Sequence, residues 1–207
     1  ERHALMCTNP LIDFIGDMRA TGGIGMGTMI TVFKQGQKVI HEGSAIFDKW
    51  KLIGWLDGTE TKEANWLVDN ADTAVLVTGN GGKYAYLVNQ SKISIKPVWN
   101  EQGELKFMVR LKTNGMIIDE QEKDYDLTKP KEMNKMEKMF SQEITSEIQA
   151  AIYKAQKEFG VDYLGFGEVL KRNDLETYKK LDWEKVFPDI PINVQVNAAV
   201  TRFGLSP

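Results

Sequence analysis

The chain has 207 residues, 42% of them apolar and 27% charged, with 26 Lys and Arg against 29 Asp and Glu for a net charge of −3. Aromatic and β-branched residues are too plentiful for a chain that is disordered throughout, and a single cysteine excludes a disulfide framework. No window approaches the ~18 consecutive apolar residues of a membrane-spanning helix, and a negative balance disfavours nucleic acid as a partner.

In chain order, Glu1 to Met6 has neither the basic nor the apolar region of a signal peptide. Leu11, Ile12, Phe14, Ile15 and Met18 space out a short amphipathic helix over 8–20. Thr21 to Gly27 carries four glycines in six residues and reads as a flexible joint. The dinucleotide-loop spacing is absent there and no strand precedes it. Val39–Phe47 and Lys51–Leu56 read as a hairpin turned at Asp48-Lys49-Trp50. Thr59 is placed to cap a helix running to about Asn70, with Glu60 near its positive end. Ala74–Val77 is a strand and Thr78–Gly82 a turn, with Asn80-Gly81 its strongest element. Gly82-Lys83 is followed by Tyr84, which rejects a phosphate-binding P-loop.

Three strands then alternate with period two: Tyr84–Val88, Lys92–Pro97 and Leu105–Lys112, the last extendable to Asp119. They form an antiparallel meander with one buried and one wet face. From Lys131 the period changes. Met133, Met136, Phe140, Ile144, Ile148, Ile152, Ala155 and Phe159 mark an amphipathic helix of about 28 residues, ~42 Å long at 1.5 Å per residue. Gly160 ends it. Shorter helices follow over Val161–Asn173 and Leu175–Val186, and the chain closes with a strand over Ile192–Thr201 whose polar side, Asn193, Gln195 and Asn197, is uncharged. Strands first, helices next and a strand last make an α+β fold: an antiparallel or mixed β-sheet packed against a long amphipathic helix and shorter helices.

No catalytic constellation emerges. The histidines, His3 and His41, have no metal-ligand spacing with each other or with Cys7. Cys7 reads as a free thiol. His41 precedes Gly43-Ser44 without a nucleophile elbow. Glu143 and Glu147 share a helix face as surface carboxylates, and the acidic stretch from Asp119 to Asp126 lacks the order and glycine of a calcium loop. Lys171-Arg172 and Lys179-Lys180 are isolated pairs, and the five tryptophans, Trp50, Trp55, Trp66, Trp99 and Trp183, fall on core-like positions or turns. No catalytic, cofactor-binding or metal residue is nominated, and no cofactor is expected.

Three segments together resemble a known family. Gly43-Ser44-Ala45-Ile46-Phe47-Asp48-Lys49-Trp50-Lys51-Leu52-Ile53-Gly54-Trp55-Leu56, then Thr59-Glu60-Thr61, is similar to the G-x-A-x-F-x-x-x-x-L-x-G-x-L…E-T signature of the Ger(x)C family. Asp162-Tyr163-Leu164-Gly165-Phe166-Gly167 resembles its D-x-x-G-F-G segment. Trp183 to Phe187-Pro188, Ile192 to Asn197, and Arg202-Phe203-Gly204-Leu205 resemble its closing W-x-x-x-F-P…V-x-V-x-V and R-x-G patterns. Order and spacing agree over about residues 39–205.

The resemblance implies a C subunit of a spore nutrient-germinant receptor. Such subunits are lipoproteins on the outer surface of the spore inner membrane, working without catalysis alongside two multi-pass membrane subunits and other germination proteins. The lipidated cysteine and the N-terminal domain are missing here. The expectation is therefore a C-terminal portion: residues 1–35 the remnant of a preceding domain plus hinge, and residues 36–207 the Ger(x)C C-terminal domain. The other reading is a small-ligand-binding or hydrolytic domain acting on a nutrient or cortex-related molecule. Structurally, Gly54 is expected to permit close backbone approach, Gly165 and Gly167 to cap or bend a helix start, and Trp55, Phe166 and Phe187 to anchor the core.

Overall fold

The computed structural model describes residues 11–33, 38–68, 74–78, 84–120 and 129–203, with side chains described from residue 14 and excepting those of 28–42, 78, 119–120 and 202–203. The order is α1 (Leu11–Ala20), β1 (Gly25–Phe33), β2 (Lys38–Asp48), β3 (Lys51–Leu56), α2 (Gly58–Val68), β4 (Ala74–Thr78), β5 (Tyr84–Trp99), β6 (Leu105–Glu120), α3 (Pro130–Tyr153), α4 (Phe166–Asn173), α5 (Leu175–Lys180), α6 (Trp183–Val186) and β7 (Ile192–Phe203). β1-β2-β3 form an antiparallel three-stranded sheet. β4-β5-β6-β7 form a mixed four-stranded sheet in which only β6 and β7 run parallel. The α+β class and the mixed sheet are as expected from the sequence.

The glycine cluster is not a free joint. Gly25 and Gly27 open β1, which pairs with β2 from Gly25↔Phe47 to Phe33↔Lys38. The two strands read as Tyr84–Val88 and Lys92–Pro97 are one strand, β5. Its core-facing parity switches from even to odd residues because Asn89 is an extra residue between Val88↔Gly115 and Gln90↔Asn114. A one-residue bulge flips every later side chain to the other face, which is why one strand looks like two. The turn at 79–82 and the acidic residues after Glu120 lie outside the described residues, as do His3 and Cys7.

The long helix is α-helical to Tyr153 and continues as a π-helical turn over Lys154–Phe159 before Gly160 ends it in the left-handed conformation, φ 66°. Met136, Phe140, Ile144, Ile148, Ala151 and Ile152 are buried on its core side, as their spacing required. The helix expected over Leu175–Val186 is two, α5 and α6, separated at Leu181 and Asp182 and followed by a 3-10 turn over Phe187–Asp189. The helix expected from Val161 starts at Phe166, since 161–165 build its cap.

One contact ties three strands of the larger sheet together. The Tyr86 ring stacks on Phe140 of α3 at 4.6 Å between centroids. It crosses β6 above Gly115, where a Cβ would lie 2.6 Å from the ring and 2.3 Å from the Leu87 carbonyl oxygen. From there its hydroxyl reaches Thr113 Oγ1 at 3.2 Å and donates to the Ala199 carbonyl of β7 at 2.9 Å. α3 closes the far edge of this sheet. The N–H groups of Ala198 and Val200 point away from β6 and donate to Ser141 Oγ and Glu137 Oε1, each at 2.9 Å.

Candidate functional site

Two segments of the family-like signature meet in one cradle. Asp162 is half-buried, and its carboxylate accepts the backbone N–H groups of Gly165 at 3.0 Å, Phe166 at 3.0 Å and Gly167 at 2.6 Å. A fourth donor is the indole Nε1–H of Trp183, at 3.0 Å. The three backbone groups are the otherwise orphaned donors of the α4 N-terminus, where a carboxylate is also favoured by the helix dipole. Gly165 at φ 85° makes the turn, a conformation disfavoured for other residues. Gly167 is small because the Trp183 indole occupies the space, 2.7 Å from where its Cβ would lie. Phe166 and Phe187 are fully buried, and Phe107 packs edge-on against both Phe166 and Trp183. Burial pushes the Asp162 carboxyl up to about 6, while its four donors pull it back down. The cradle is therefore a structural hub, with the carboxylate filled by the chain itself.

The hairpin signature builds a different object. Lys49 and Trp50, at φ 48° and 65°, form the two-residue turn, and Trp50 donates its N–H to Gly23 O at 3.1 Å. Gly54 does permit a close approach, but by a side chain: the Phe159 ring sits 2.4 Å from where a Cβ would be, which docks β3 on the end of the long helix. Trp55 is not a core anchor. It is 51% exposed, and Leu52 and Ile53 on this edge strand and Trp50 in the turn before it are exposed too. Alternation fails as a guide here because Leu52, Ile53 and Trp55 are all exposed although they fall on both faces of the strand.

The E-T element is explained by α2. Asp57, not Thr59, caps the helix: Asp57 Oδ1 accepts from Glu60 N and Glu60 Oε2 accepts from Asp57 N, both at 2.9 Å, a reciprocal capping box. Thr61 is fully buried. Glu60 also takes Lys154 of the π-helical turn. Nearby Glu147 is no solvated surface carboxylate; it accepts from Trp66 Nε1 at 2.7 Å and pairs with Lys62. The Tyr163 hydroxyl is buried without a hydrogen-bond partner among the described residues, and burial together with Glu60, Glu158 and Glu63 pushes its pKa upward.

The remaining residues of chemical interest are not brought together. Ser44 is fully buried and its hydroxyl finds no partner among the described residues, so it cannot reach a substrate. His41 lies on β2 opposite Ile30, its side chain outside the described residues. Lys171 and Lys179 pair within their own helices with Glu168 and Glu176. Among the described residues no group of three His, Cys, Asp or Glu side chains could hold a metal ion, and no helix is long and apolar enough to cross a membrane.

Comparison with known proteins bears on this geometry. A family model described as "Spore germination B3/ GerAC like, C-terminal" matches residues 42–204. The chain is 28% identical over 172 residues to spore germination protein KC of Bacillus subtilis (strain 168), covering 79% of this chain and 41% of that protein. It is 22% identical over 172 residues to spore germination protein B3 of the same organism, covering 81% and 46%. The chain thus spans less than half the length of these relatives. The crystal structure of the GerBC protein has the same fold, with a TM-score of 0.78 at 19% identity over 94% of this chain and 62% of that one. The matched span runs from the buried start of the hairpin, through the Asp162 cradle, to the closing strand, and the chain belongs to the Ger(x)C family of spore germination proteins.

Proposed function

We propose that this chain is the C-terminal part of a non-catalytic C subunit of a spore nutrient-germinant receptor. In this reading it acts by assembling with the two multi-pass membrane subunits at the outer surface of the spore inner membrane, held there by a lipidated N-terminal region. Residues 36–207 are the assembling domain, with β1 adding a strand to it. The observation that carries the reading is the β3 edge. Leu52, Ile53 and Trp55, together with Trp50 of the turn, are exposed on both faces of a strand whose outer edge has no neighbour among the described residues. An exposed apolar edge of this kind marks a protein-interaction surface, because in isolation it invites aggregation. Two further features favour assembly over hydrolysis: the buried, unpartnered Ser44 hydroxyl, and a cradle whose carboxylate is saturated by the protein's own donors.

A photo-cross-linking residue at Ile53 or Trp55 in the full-length protein, in spore membranes, tests this. Adducts with the multi-pass subunits are expected from those positions and not from exposed Lys179 on α5. Equal labelling from both places, or none from β3, would overturn the reading.

A further inference from the structure

The outer face of the four-stranded sheet is cationic in a protein that is acidic overall. The register places Lys92 opposite Lys112, Ser94 opposite Arg110, Lys96 opposite Met108 and Val98 opposite Lys106, while the intervening Ile93, Ile95, Val109 and Leu111 turn to the core. β7 extends this face with Asn193, Gln195 and Asn197 beside Met108, Arg110 and Lys112. The face thus carries five cations, Lys92, Lys96, Lys106, Arg110 and Lys112, against a net charge of −3 for the chain. No carboxylate stands among the described side chains of β5, β6 and β7. Glu104 lies past the strand ends, accepting from Asn100 in the turn.

None of the five enters an ion pair among the described residues, whereas Lys62, Lys135, Lys154, Lys157, Lys171, Lys179 and Lys185 all do. Arg110 reaches only the neutral Gln195, at 3.2 Å. Like charges directly across a strand pair, as at Lys92 and Lys112, are destabilising. Five cations gathered on one face, none of them neutralised by a carboxylate among the described residues, is the pattern expected of a face that meets an anionic partner.

The apolar groups among the cations indicate which kind of partner. Val98, Met108 and the methylene stems of Lys96 and Lys106 line a shallow groove of about 300 Å³, with Trp99, 43% exposed, at its end. From Lys92 to Trp99 the face extends about 24 Å at ~3.4 Å per residue. An even sheet face with lysines that keep their charge outward along apolar stems, and an exposed tryptophan at its rim, suits the headgroup region of a bilayer. One exposed tryptophan does not make the row of aromatic platforms that single-stranded nucleic acid stacks on, and the sheet face offers an acidic peptide no free strand edge to pair with.

The geometry points to this face as a docking surface for an anionic phospholipid bilayer, with Lys92, Lys96, Lys106, Arg110 and Lys112 on the headgroups and Trp99 in the interface. It is a second contact with the membrane, separate from any lipid anchor and from the β3 edge, and it stands or falls independently of subunit assembly.

Sedimentation of the 207-residue chain with vesicles tests it. Binding to phosphatidylglycerol-containing vesicles is expected at low ionic strength, weakening as salt is raised, with none to pure phosphatidylcholine. Each cation neutralised should cost roughly fivefold in partitioning. Lys96→Gln with Arg110→Gln should therefore lower binding more than tenfold with the thermal midpoint unchanged, while Lys171→Gln with Lys179→Gln should leave it unaltered. Trp99→Ser should lower binding several-fold at every salt concentration. No binding to phosphatidylglycerol vesicles, or binding insensitive to the sheet-face pair, overturns the proposal. So does tighter, Trp99-independent binding to duplex DNA, which would assign the face to a polyanion.

Discussion

Two strands at the margins of the two sheets end in opposite ways. At β7 the outward N–H groups of Ala198 and Val200 are taken by Ser141 and Glu137 of the long helix, and Ala198 is itself buried. At β3 the margin is left open, with Leu52, Ile53 and Trp55 in solvent. Every sheet margin presents a row of backbone groups able to pair with another chain. The difference shows that this molecule can close an edge with its own side chains and does so where the core depends on it. The open edge is carried by the hairpin that holds the first signature segment.

The closed side should fail most severely from within. Gly115→Ala would put a methyl group 2.3 Å from the Leu87 oxygen and 2.6 Å from the Tyr86 ring, so backbone as well as side chain must move. The expected loss is about 3 kcal/mol or more, read from the denaturant midpoint. Tyr86→Phe, which removes the hydroxyl's bonds to Ala199 and Thr113 and leaves the packing in place, should cost about 1–2 kcal/mol. A Gly115→Ala protein as stable as the parent would mean that the ring does not cross there.

The cradle supplies a test of comparable size with a sign. With Asp162 raised from 3.8 to about 6, the folded state holds that proton more tightly than the unfolded chain. Its contribution is fully present below about pH 4 and is lost as the pH rises through 6, a fall of roughly 3 kcal/mol at 1.36 kcal/mol per unit. Asp162→Asn removes that slope, so the difference between parent and variant should shrink by that amount between those pH values. A difference that grows instead would show the four donors overriding burial.

The edge cap itself comes next. Ser141→Ala leaves the Ala198 N–H without its acceptor at a buried position, costing about 1–3 kcal/mol. Glu137→Ala should cost about as much, through Val200. Amide exchange at those two residues should accelerate in the matching variant and not at Gln195, whose N–H points the other way, toward β6. Uniform acceleration along β7 would instead indicate that the whole strand is held by α3.

Much of this was legible in the sequence, because period and burial agree. The alternation through Phe107 to Leu111 and the three-four stepping from Met136 to Ile152 each correspond to a continuous buried face. What was hidden depends on neighbours distant along the chain. The Asn89 bulge is set by pairing with β6, the cap at Asp57 by a reciprocal bond to Glu60, and the role of Gly54 by a ring 105 residues later, Phe159. Asp162 and Trp183 stood in separate motifs, and nothing in either marks the other as its partner. The cationic face was readable as the wet side of two strands, yet its strength appears only when the register sets Lys92 beside Lys112. Trp55 misled because an aromatic residue in a strand is ordinarily buried, and this exposed edge strand breaks that rule.

The smallest expected effect on stability falls on the open edge. Trp55→Ser and Ile53→Thr remove apolar surface that is already in water, so each should change folding stability by no more than about 0.5 kcal/mol. Solubility at high concentration should rise, since the edge loses its apolar rim. If β3 is the proposed assembly edge, the same substitutions in the full-length protein should lower co-purification with the proposed membrane subunits, which the Ser141→Ala variant retains once its lost stability is compensated by lower temperature. That pairing separates the two edges. A substitution that weakens folding without touching assembly belongs to the side the molecule closes for itself, and one that weakens assembly without touching folding belongs to the side it leaves for a partner. Should Trp55→Ser instead unfold the protein by several kcal/mol, β3 is an internal element of the fold, and the interaction surface must lie elsewhere.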